Sequence, residues 1–235
     1  MFPLVSNFLL QSRGRALCES ESAKLVHFQE LLAEHNAHFD LTAIAQEDWE
    51  SSHFLDSLLC LPYFAGAGEK KLVDVGSGAG FPGVLLALFL PELEVHLLEP
   101  GNKRAVFLKQ VCAKLQLENC KVVEMRAEEA ARKHFREYFD FATARAVAPL
   151  PMLMELTVPL LRVQGQLIAL KGPEAMEELA AASRTLEALQ LVVSEQKTSF
   201  LPPEAKERTI LIFEKTAVSE ERFPRSLTAM RQRPL

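Results

Sequence analysis

Cysteine is scarce in this sequence, and the few cysteines present form no recognised motif. Cys18, Cys60, Cys112 and Cys120 show no C-x-x-C spacing. The spacing therefore gives no sign of a structural zinc site or of a disulfide framework. Thiols of this kind are typical of proteins in a reducing compartment, so we predict a cytoplasmic protein without a bound metal.

Long apolar runs are also missing. No stretch approaches the roughly 18 consecutive apolar residues of a membrane-spanning helix, so we predict no membrane partner. The first ten residues are apolar in places but lack a basic start and a clear small-residue cleavage site, and we expect no signal peptide.

The chain has no excess of positive charge. Its 26 Lys and Arg residues against 31 Asp and Glu residues give a net charge of −5. A protein that coats DNA through electrostatics alone is usually basic, so we predict no DNA partner. Local basic patches still allow an enzyme with a charged site. These patches are Lys103–Arg104, Arg126, Arg132–Lys133, Arg145, Arg225, Arg231 and Arg233.

What the chain does have is a glycine-rich turn between two apolar stretches. The apolar residues of Lys71–Val75 suit a strand that is buried on both faces of a parallel sheet. The glycines that follow allow φ > 0 and let a ligand approach the backbone without meeting a Cβ. Pro82 is suited to the first turn of a helix, whose free N–H groups would then face a polar ligand.

Two nucleotide-binding patterns compete for this turn. Gly78–Gly83 matches the dinucleotide pattern G-x-G-x-x-G, but the strand ends at Val75, two residues too early. The pattern D-x-G-x-G-x-G from Asp74 instead resembles the first strand end of S-adenosylmethionine (SAM) methyltransferases, where the acid lies near the methionine end of the cofactor. Glu99 supplies the acid that ribose hydroxyls need about 20 residues further on. The predicted cofactor-binding residues of this pattern are Asp74, Gly76, Gly78, Gly80 and Glu99.

From residue 71 onward, strands alternate with helices, which indicates an α/β fold with a parallel sheet. Leu201–Glu204, between the last two strands, is too short for a crossover helix, so one of those strands should run antiparallel. The seven predicted strands are Lys71–Val75, Glu94–Glu99, Cys120–Met125, Phe139–Ala146, Gly165–Lys171, Leu191–Phe200 and Arg208–Lys215. The predicted helices between them include Pro82–Leu90, Leu150–Leu161 and Pro173–Leu189.

The chain divides into three predicted parts. Residues 1–65 have apolar residues at helical spacing and form an N-terminal helical extension. Residues 66–216 form the cofactor-binding domain. Residues 217–235 form a basic tail, which we expect to become ordered with substrate.

His53 and Asp56 lie three residues apart, on one face of a predicted helix of the extension. Such a pair is compatible with acid–base chemistry or with metal binding. No third or fourth ligand is evident, so a capping or packing role is the favoured interpretation.

Several separated motifs carry a resemblance to one family. They are Leu41–Ile44, His53–Leu58, Val73–Gly83, Lys103–Arg104, Phe107–Leu108, Arg126–Glu128, Arg145–Ala148 and Lys171–Gly172. Together they resemble the bacterial 16S ribosomal RNA guanine-N7 methyltransferases, the small subunit methyltransferase G or glucose-inhibited division protein B family. The sequence departs from the family at Asp40, where asparagine is common, at Glu99, which is often aspartate, and near Thr228, where a glycine is missing.

The resemblance implies a Rossmann-like class I SAM-dependent methyltransferase. Its expected reaction is methyl transfer from SAM to N7 of a guanine in the decoding region of 16S rRNA. Its expected partner is 16S rRNA or the small-subunit ribosomal particle, bound by a monomer. The SAM contacts that the resemblance implies are Gly76, Phe81, Ala127, Glu128 and Arg145.

Guanine N7 has a lone pair at neutral pH, so the reaction needs orientation and exclusion of water, and we assign no general base. Arg145, Lys171 and Arg126 are candidates to orient RNA, and Phe81 or Phe223 to stack on a base. Two alternatives stay open. One is a SAM-dependent enzyme for another RNA or a small molecule. The other is a non-catalytic nucleotide- or RNA-binding module, or an NAD-dependent enzyme that uses the same turn.

Overall fold

The computed structural model describes residues 2–235. Within them, seven strands form one sheet: β1 (Lys71–Val75), β2 (Glu94–Leu98), β3 (Cys120–Val123), β4 (Phe139–Arg145), β5 (Leu161–Lys171), β6 (Leu191–Leu201) and β7 (Lys206–Lys215). Their order is β3-β2-β1-β4-β5-β7-β6. The first five strands run parallel, while β7 lies antiparallel between β5 and β6. The predicted α/β fold with one reversed strand is confirmed.

Helices cover both faces of this sheet. They are α1 (Pro3–Arg13), α2 (Glu19–Asn36), α3 (Asp56–Leu58), α4 (Gly83–Phe89), α5 (Asn102–Lys114), α6 (Ala127–Arg132), α7 (Leu150–Thr157), α8 (Ala175–Ala181), α9 (Ser183–Ala188) and α10 (Leu227–Gln232). Short 3-10 turns lie at Gln46–Asp48, Leu61–Phe64 and Val158–Leu160, and a π-helical segment at Glu50–Leu55 precedes α3. No helix in residues 2–235 is long and apolar enough to cross a membrane.

The alternation of side chains along β1 divides the core into two clusters. Leu72 belongs to the cluster that contains α1, α2, α4 and α5, whereas Val73 and Val75 belong to the cluster beneath α6 to α10. Successive side chains of a strand point to opposite faces, so a strand covered on both faces has a continuous apolar sequence. This explains why β1 has the bounds that its apolar residues predict.

Two predicted helices have different bounds in the structure. The helix predicted at Leu150–Leu161 ends at Thr157, because Pro159 has no N–H to continue the helical hydrogen bonds. The chain then enters β5 at Leu161, four residues before the predicted start at Gly165. The helix predicted at Pro173–Leu189 is two helices that meet at the buried residue Ala182.

The N-terminal extension packs against the glycine-rich turn. Phe28 of α2 and Phe54 of the π-helical segment lie 5.0 Å and 5.4 Å, respectively, from the ring centroid of Phe81. The three rings share one apolar cluster with the sheet. The division of the chain near residue 65 stays a prediction, and the extension contributes to the same core.

The C-terminal tail is docked on the domain by its own contacts. Arg225 binds Glu155 of α7 at 2.7 Å and 2.6 Å. Arg136 donates to the carbonyls of Ser219 and Phe223. These contacts dock the tail on the domain, and its ordering with substrate stays a prediction.

Candidate active site

The turn after β1 brings backbone close to other parts of the chain. Gly76 has a φ of +70°, and a Cβ there would lie 2.9 Å from a methyl group of Val147. Gly80 has a φ of +94°, and a Cβ there would meet Val84 at 2.7 Å and Phe28 at 3.2 Å. Gly76 thus allows close packing against the segment after β4, while Gly80 allows close packing against the extension.

Asp74 lies fully buried beneath this turn. Its Oδ2 accepts a hydrogen bond of 3.0 Å from the N–H of Gly83, the first residue of α4. Its Oδ1 has no hydrogen-bond partner among residues 2–235. Burial raises the pKa of Asp74 to about 7, although the Gly83 N–H opposes the shift. Asp74 therefore binds the N-terminal residue of α4, and its contact with SAM stays a prediction.

A cavity of about 650 Å³, the larger cavity, opens at the carboxyl ends of β1, β4 and β5. Ligands of open α/β sheets bind at this edge. Its wall combines the glycine turn with residues of the extension and of the loop after β5. Lining residues used below are Thr42, His53, Asp56, Gly76, Gly78, Phe81, Arg104, Arg145, Lys171, Glu178 and Arg208.

A second cavity of about 170 Å³, the smaller cavity, shares Gly76 with the larger one. Ala127 and Glu128, two of the SAM contacts that the resemblance implies, line it together with Arg126. Leu227 and Arg231 of the tail also line it. The tail therefore forms part of the wall of a predicted cofactor pocket.

Glu99 is 4% exposed and lines neither of these two cavities, but its carboxylate binds backbone beside the glycine turn. One carboxylate oxygen accepts from the N–H of Gly78 at 2.9 Å, and the other accepts from Gly101 at 2.8 Å. Its chain neighbour Leu98 lines the smaller cavity, and Gly78 lines the larger one. Each oxygen retains a second lone pair that can accept from a hydroxyl. The predicted ribose contact is compatible with this position.

Arg145 at the end of β4 joins the sheet to the extension. Its guanidinium donates to the carbonyl of Ser52 and to Asp56 Oδ2, each at 2.9 Å, and to His53 Nδ1 at 2.7 Å. The other oxygen of Asp56 accepts from Arg208 at 3.0 Å. Asp56 is therefore shared by two arginines, each of which occupies one of its oxygens.

His53 is stacked on Phe81, with ring centroids 4.6 Å apart and planes within 2° of parallel. Its Nε2 lies 2.7 Å from the hydroxyl of Thr42. Burial, and secondarily the charge of Arg145, lowers the pKa of His53 to about 3, so the ring is neutral at physiological pH. His53 and Asp56 thus form part of a packed network, as the favoured interpretation had it. Residues 2–235 contain no group of three side chains suited to a metal ion.

The other candidates from the sequence have different surroundings. Lys171 lines the larger cavity and pairs with Glu178 at 2.6 Å. Phe81 lines it too, although its faces contact Phe28 and His53. Phe223 is only 1% exposed within the second core cluster, so its predicted stacking on a base was wrong.

Several lining residues had no predicted role. Thr42 belongs to a motif that carried the family resemblance, and that motif was the only available signal. Arg208 reaches Asp56 across 152 positions of sequence, and no local pattern indicates such a contact. Other examples are Arg104, Glu178, Leu227 and Arg231.

Comparison with known proteins gives a consistent result. A family model described as rRNA small subunit methyltransferase G matches residues 21–208. A ribosomal RNA small subunit methyltransferase G from Desulfitobacterium hafniense is 40% identical over 99% of this chain and 97% of its own length. The protein of the same name from Brevibacillus brevis is 36% identical over 97% and 96% of the two chains.

Solved structures share the fold at low identity. An O-methyltransferase from Bacillus cereus in complex with S-adenosylhomocysteine (SAH) covers 80% of this chain and 91% of its own, with a TM-score of 0.58 and 16% identity. A single-residue mutant of the 16S rRNA (adenine(1408)-N(1))-methyltransferase from Catenulisporales acidiphilia covers 65% and 88%, with a TM-score of 0.53 and 16% identity. Both similarities bear on the architecture alone.

Proposed function

The chain belongs to the rRNA small subunit methyltransferase G family, and from this premise we propose the reaction and the residues that serve it. The protein is a SAM-dependent rRNA methyltransferase. It transfers a methyl group from SAM to N7 of a guanine in the decoding region of 16S rRNA. The observation that carries the proposal is near full-length similarity to the family, together with two cavities at the strand ends that share Gly76.

The two cavities fit the parts of SAM. Ala127 and Glu128 line the smaller cavity and offer backbone groups and a carboxylate to the adenine edge. Glu99 binds the N–H of Gly78, which lines the larger cavity, and its carboxylate would accept from the ribose hydroxyls beside that residue. Gly76 and Gly78 line the larger cavity, where the methionine part would contact backbone. Gly76 lines both cavities, so a group that occupies both would lie against the backbone of this residue.

SAM supplies an electrophilic methyl group to this site. The chain's contribution is to hold the acceptor base in line with that group and to exclude water. Guanine N7 needs no deprotonation. The site agrees, since both ring nitrogens of His53 and both oxygens of Asp56 are engaged in hydrogen bonds. Neither residue is available as a general base.

We further propose that the substrate is 16S rRNA or the small-subunit particle and that the enzyme acts as a monomer in the cytoplasm. Arg104 and Lys171 line the larger cavity and offer positive charge to RNA phosphates. Lys171 is only 10% exposed and bound to Glu178, so it serves orientation at the base rather than long-range attraction.

Calorimetric titration with SAH and, separately, NAD tests the cofactor assignment. We expect SAH to bind and NAD not to bind. Glu99→Gln should weaken SAH binding, because it replaces a charged acceptor of ribose hydroxyls with a neutral amide. Glu92→Gln, at an exposed position, is the matched control. NAD binding in place of SAH would refute the cofactor assignment.

Transfer of labelled methyl groups tests the substrate. Deproteinised 16S rRNA, small-subunit particles, double-stranded DNA and an unrelated protein are each incubated with the enzyme and labelled SAM. Label in one of the two rRNA substrates is expected. Label confined to DNA or protein would contradict the proposal.

A further inference from the structure

Thr42 has an unusual hydrogen-bond arrangement for a hydroxyl at the wall of an active site. Its Oγ1 lies 2.7 Å from His53 Nε2 and accepts from the N–H of Ile44 at 3.1 Å. Thr42 is half-buried and lines the larger cavity, which the glycine turn also lines. The direction of the bond to His53 therefore decides what Thr42 can offer a ligand.

Arg145 determines that direction. A guanidinium can only donate, so His53 Nδ1 must accept the 2.7 Å bond from Arg145 and carries no proton. A neutral imidazole then has its proton on Nε2. Nε2–H donates to Thr42 Oγ1. Asp56 and the Ser52 carbonyl hold Arg145 in place, so this tautomer is built into the fold.

The Thr42 hydroxyl accepts two N–H donors as a result. A hydroxyl has two lone pairs and one proton, and both lone pairs are now occupied. Its proton has no acceptor among the residues that the structure describes. A side chain that normally both donates and accepts is thus restricted to donating, at the cavity wall.

Guanine and adenine differ next to N7 in the group that such a donor would meet. Guanine has the O6 acceptor beside N7, whereas adenine has the N6 amino group, which donates. A site that presents only a donor stabilises guanine and leaves two opposed donors with adenine. A buried hydrogen-bonding site rejects the wrong partner strongly because its polar group is left unpaired.

We propose that Thr42 donates a hydrogen bond to O6 of the target guanine and so contributes to the selection of guanine over adenine. This inference rests on the proposed function. His53 acts as a positioning residue, since it fixes the donor direction of Thr42 through its tautomer. Arg145 acts through His53, because its hydrogen bond to Nδ1 fixes the tautomer of that ring.

The test uses base analogues at the target position of semi-synthetic 16S rRNA. Inosine retains O6, 2-aminopurine lacks it, and 2,6-diaminopurine places an amino group there. For the wild-type enzyme we expect kcat/KM with inosine to match guanosine. We expect kcat/KM to fall about 3- to 10-fold with 2-aminopurine, the range of one hydrogen bond, and further with 2,6-diaminopurine.

Thr42→Val removes the hydroxyl at nearly constant shape. The kcat/KM of Thr42→Val for guanosine should be lower than that of the wild type, by the same factor by which 2-aminopurine lowers the kcat/KM of the wild type. Replacement of guanosine by 2-aminopurine should then lower the kcat/KM of Thr42→Val only slightly. Such non-additivity separates a direct contact from any change in the reactivity of N7. Thr42→Ser should restore the preference for O6, and Thr216→Val, at an exposed position, is the control.

Three outcomes would overturn the inference. Equal penalties for 2-aminopurine in wild type and Thr42→Val would show that the hydroxyl does not contact O6. A fall in SAH affinity of Thr42→Val by the whole kinetic factor would assign the donor to the cofactor instead. An equal kcat/KM of the wild type for guanosine and 2-aminopurine would also overturn it, and this measurement does not depend on the folding of any variant. Failure of the wild type to methylate guanosine at N7 would instead refute the proposed function.

Discussion

Gly83 shows how closely the chain packs at the end of β1. A Cβ at this residue would lie 2.3 Å from Leu97 and 2.6 Å from Asp74 Oδ2, and both neighbours are buried. The N–H of Gly83 bonds the same Asp74 oxygen. Sequence comparison with the dinucleotide pattern explains this glycine by a ligand, but its own surroundings explain it by packing beneath α4.

Gly83→Ala should therefore lower the free energy of unfolding by about 1–3 kcal/mol, the range for overpacking a core. It should also weaken SAH binding, because α4 must move away from the turn. Gly172→Ala is the control, since a Cβ there meets no atom within 4 Å. Denaturant unfolding measures both variants. Equal stability of the two would contradict this account of the packing.

Asp74 makes the free energy of unfolding decrease as the pH rises. Its pKa in the folded protein is about 7, above the ordinary value of 3.8, so between these values the folded state binds the extra proton. Stability from this group is present below about pH 4 and is lost as the pH rises through 7. His53 has a pKa lowered to about 3, so its contribution makes the protein more stable as the pH rises from about 3 to 6.5.

Comparison of Asp74→Asn with the wild type cancels the contribution of His53. We expect the difference between the melting temperature of Asp74→Asn and that of the wild type to shift in favour of Asp74→Asn as the pH rises from about 5 to about 8. Only the wild type loses a bound proton over this range. Thermal unfolding at several pH values measures the difference. A difference that stays constant with pH would mean that Asp74 does not titrate in this range.

The tail is an element whose contacts extend the site. Glu155 is 1% exposed and Arg225 is 23% exposed, so Arg225→Gln leaves a buried carboxylate without its partner. We expect a loss of about 1–3 kcal/mol in the free energy of unfolding, less than for a fully buried pair. SAH affinity should fall as well, because Leu227 and Arg231 of the same tail line the smaller cavity.

Arg222→Gln is the matched control for this prediction. Arg222 is 62% exposed and pairs with Glu220, which is also exposed, so its loss should change stability by less than about 0.5 kcal/mol. Unfolding and SAH titration are measured for both variants. A loss of stability in Arg225→Gln with unchanged SAH affinity would exclude the tail from the cofactor pocket.

Elements with strong local signals could be predicted from sequence, and others could not. β1 has a nearly continuous apolar sequence and the turn after it has glycines at positions of positive φ, and the predicted bounds of β1 were correct. The break at Ala182 has no glycine, proline or capping residue that marks it, so the sequence of Pro173–Leu189 is typical of one helix. The early start of β5 depends on pairing of Leu161 with Phe139, a tertiary contact.

At the scale of the whole molecule, the extension and the sheet build the site together. The larger cavity takes Thr42, His53 and Asp56 from the extension and Gly76 and Arg145 from the sheet. Sequence could place these residues on separate elements and, through the resemblance, in one family. It could not show that Arg145 binds His53 and Asp56, because contacts across 92 and 89 positions leave no local pattern.

Nucleoside analysis of rRNA tests the central claim most directly. Small-subunit rRNA is incubated with the enzyme and SAM carrying a labelled methyl group, digested to nucleosides and analysed by mass spectrometry. The account predicts that the label appears as 7-methylguanosine and in no other nucleoside. Label in a methylated adenosine, cytidine or uridine, or in guanosine methylated at another atom, would contradict it.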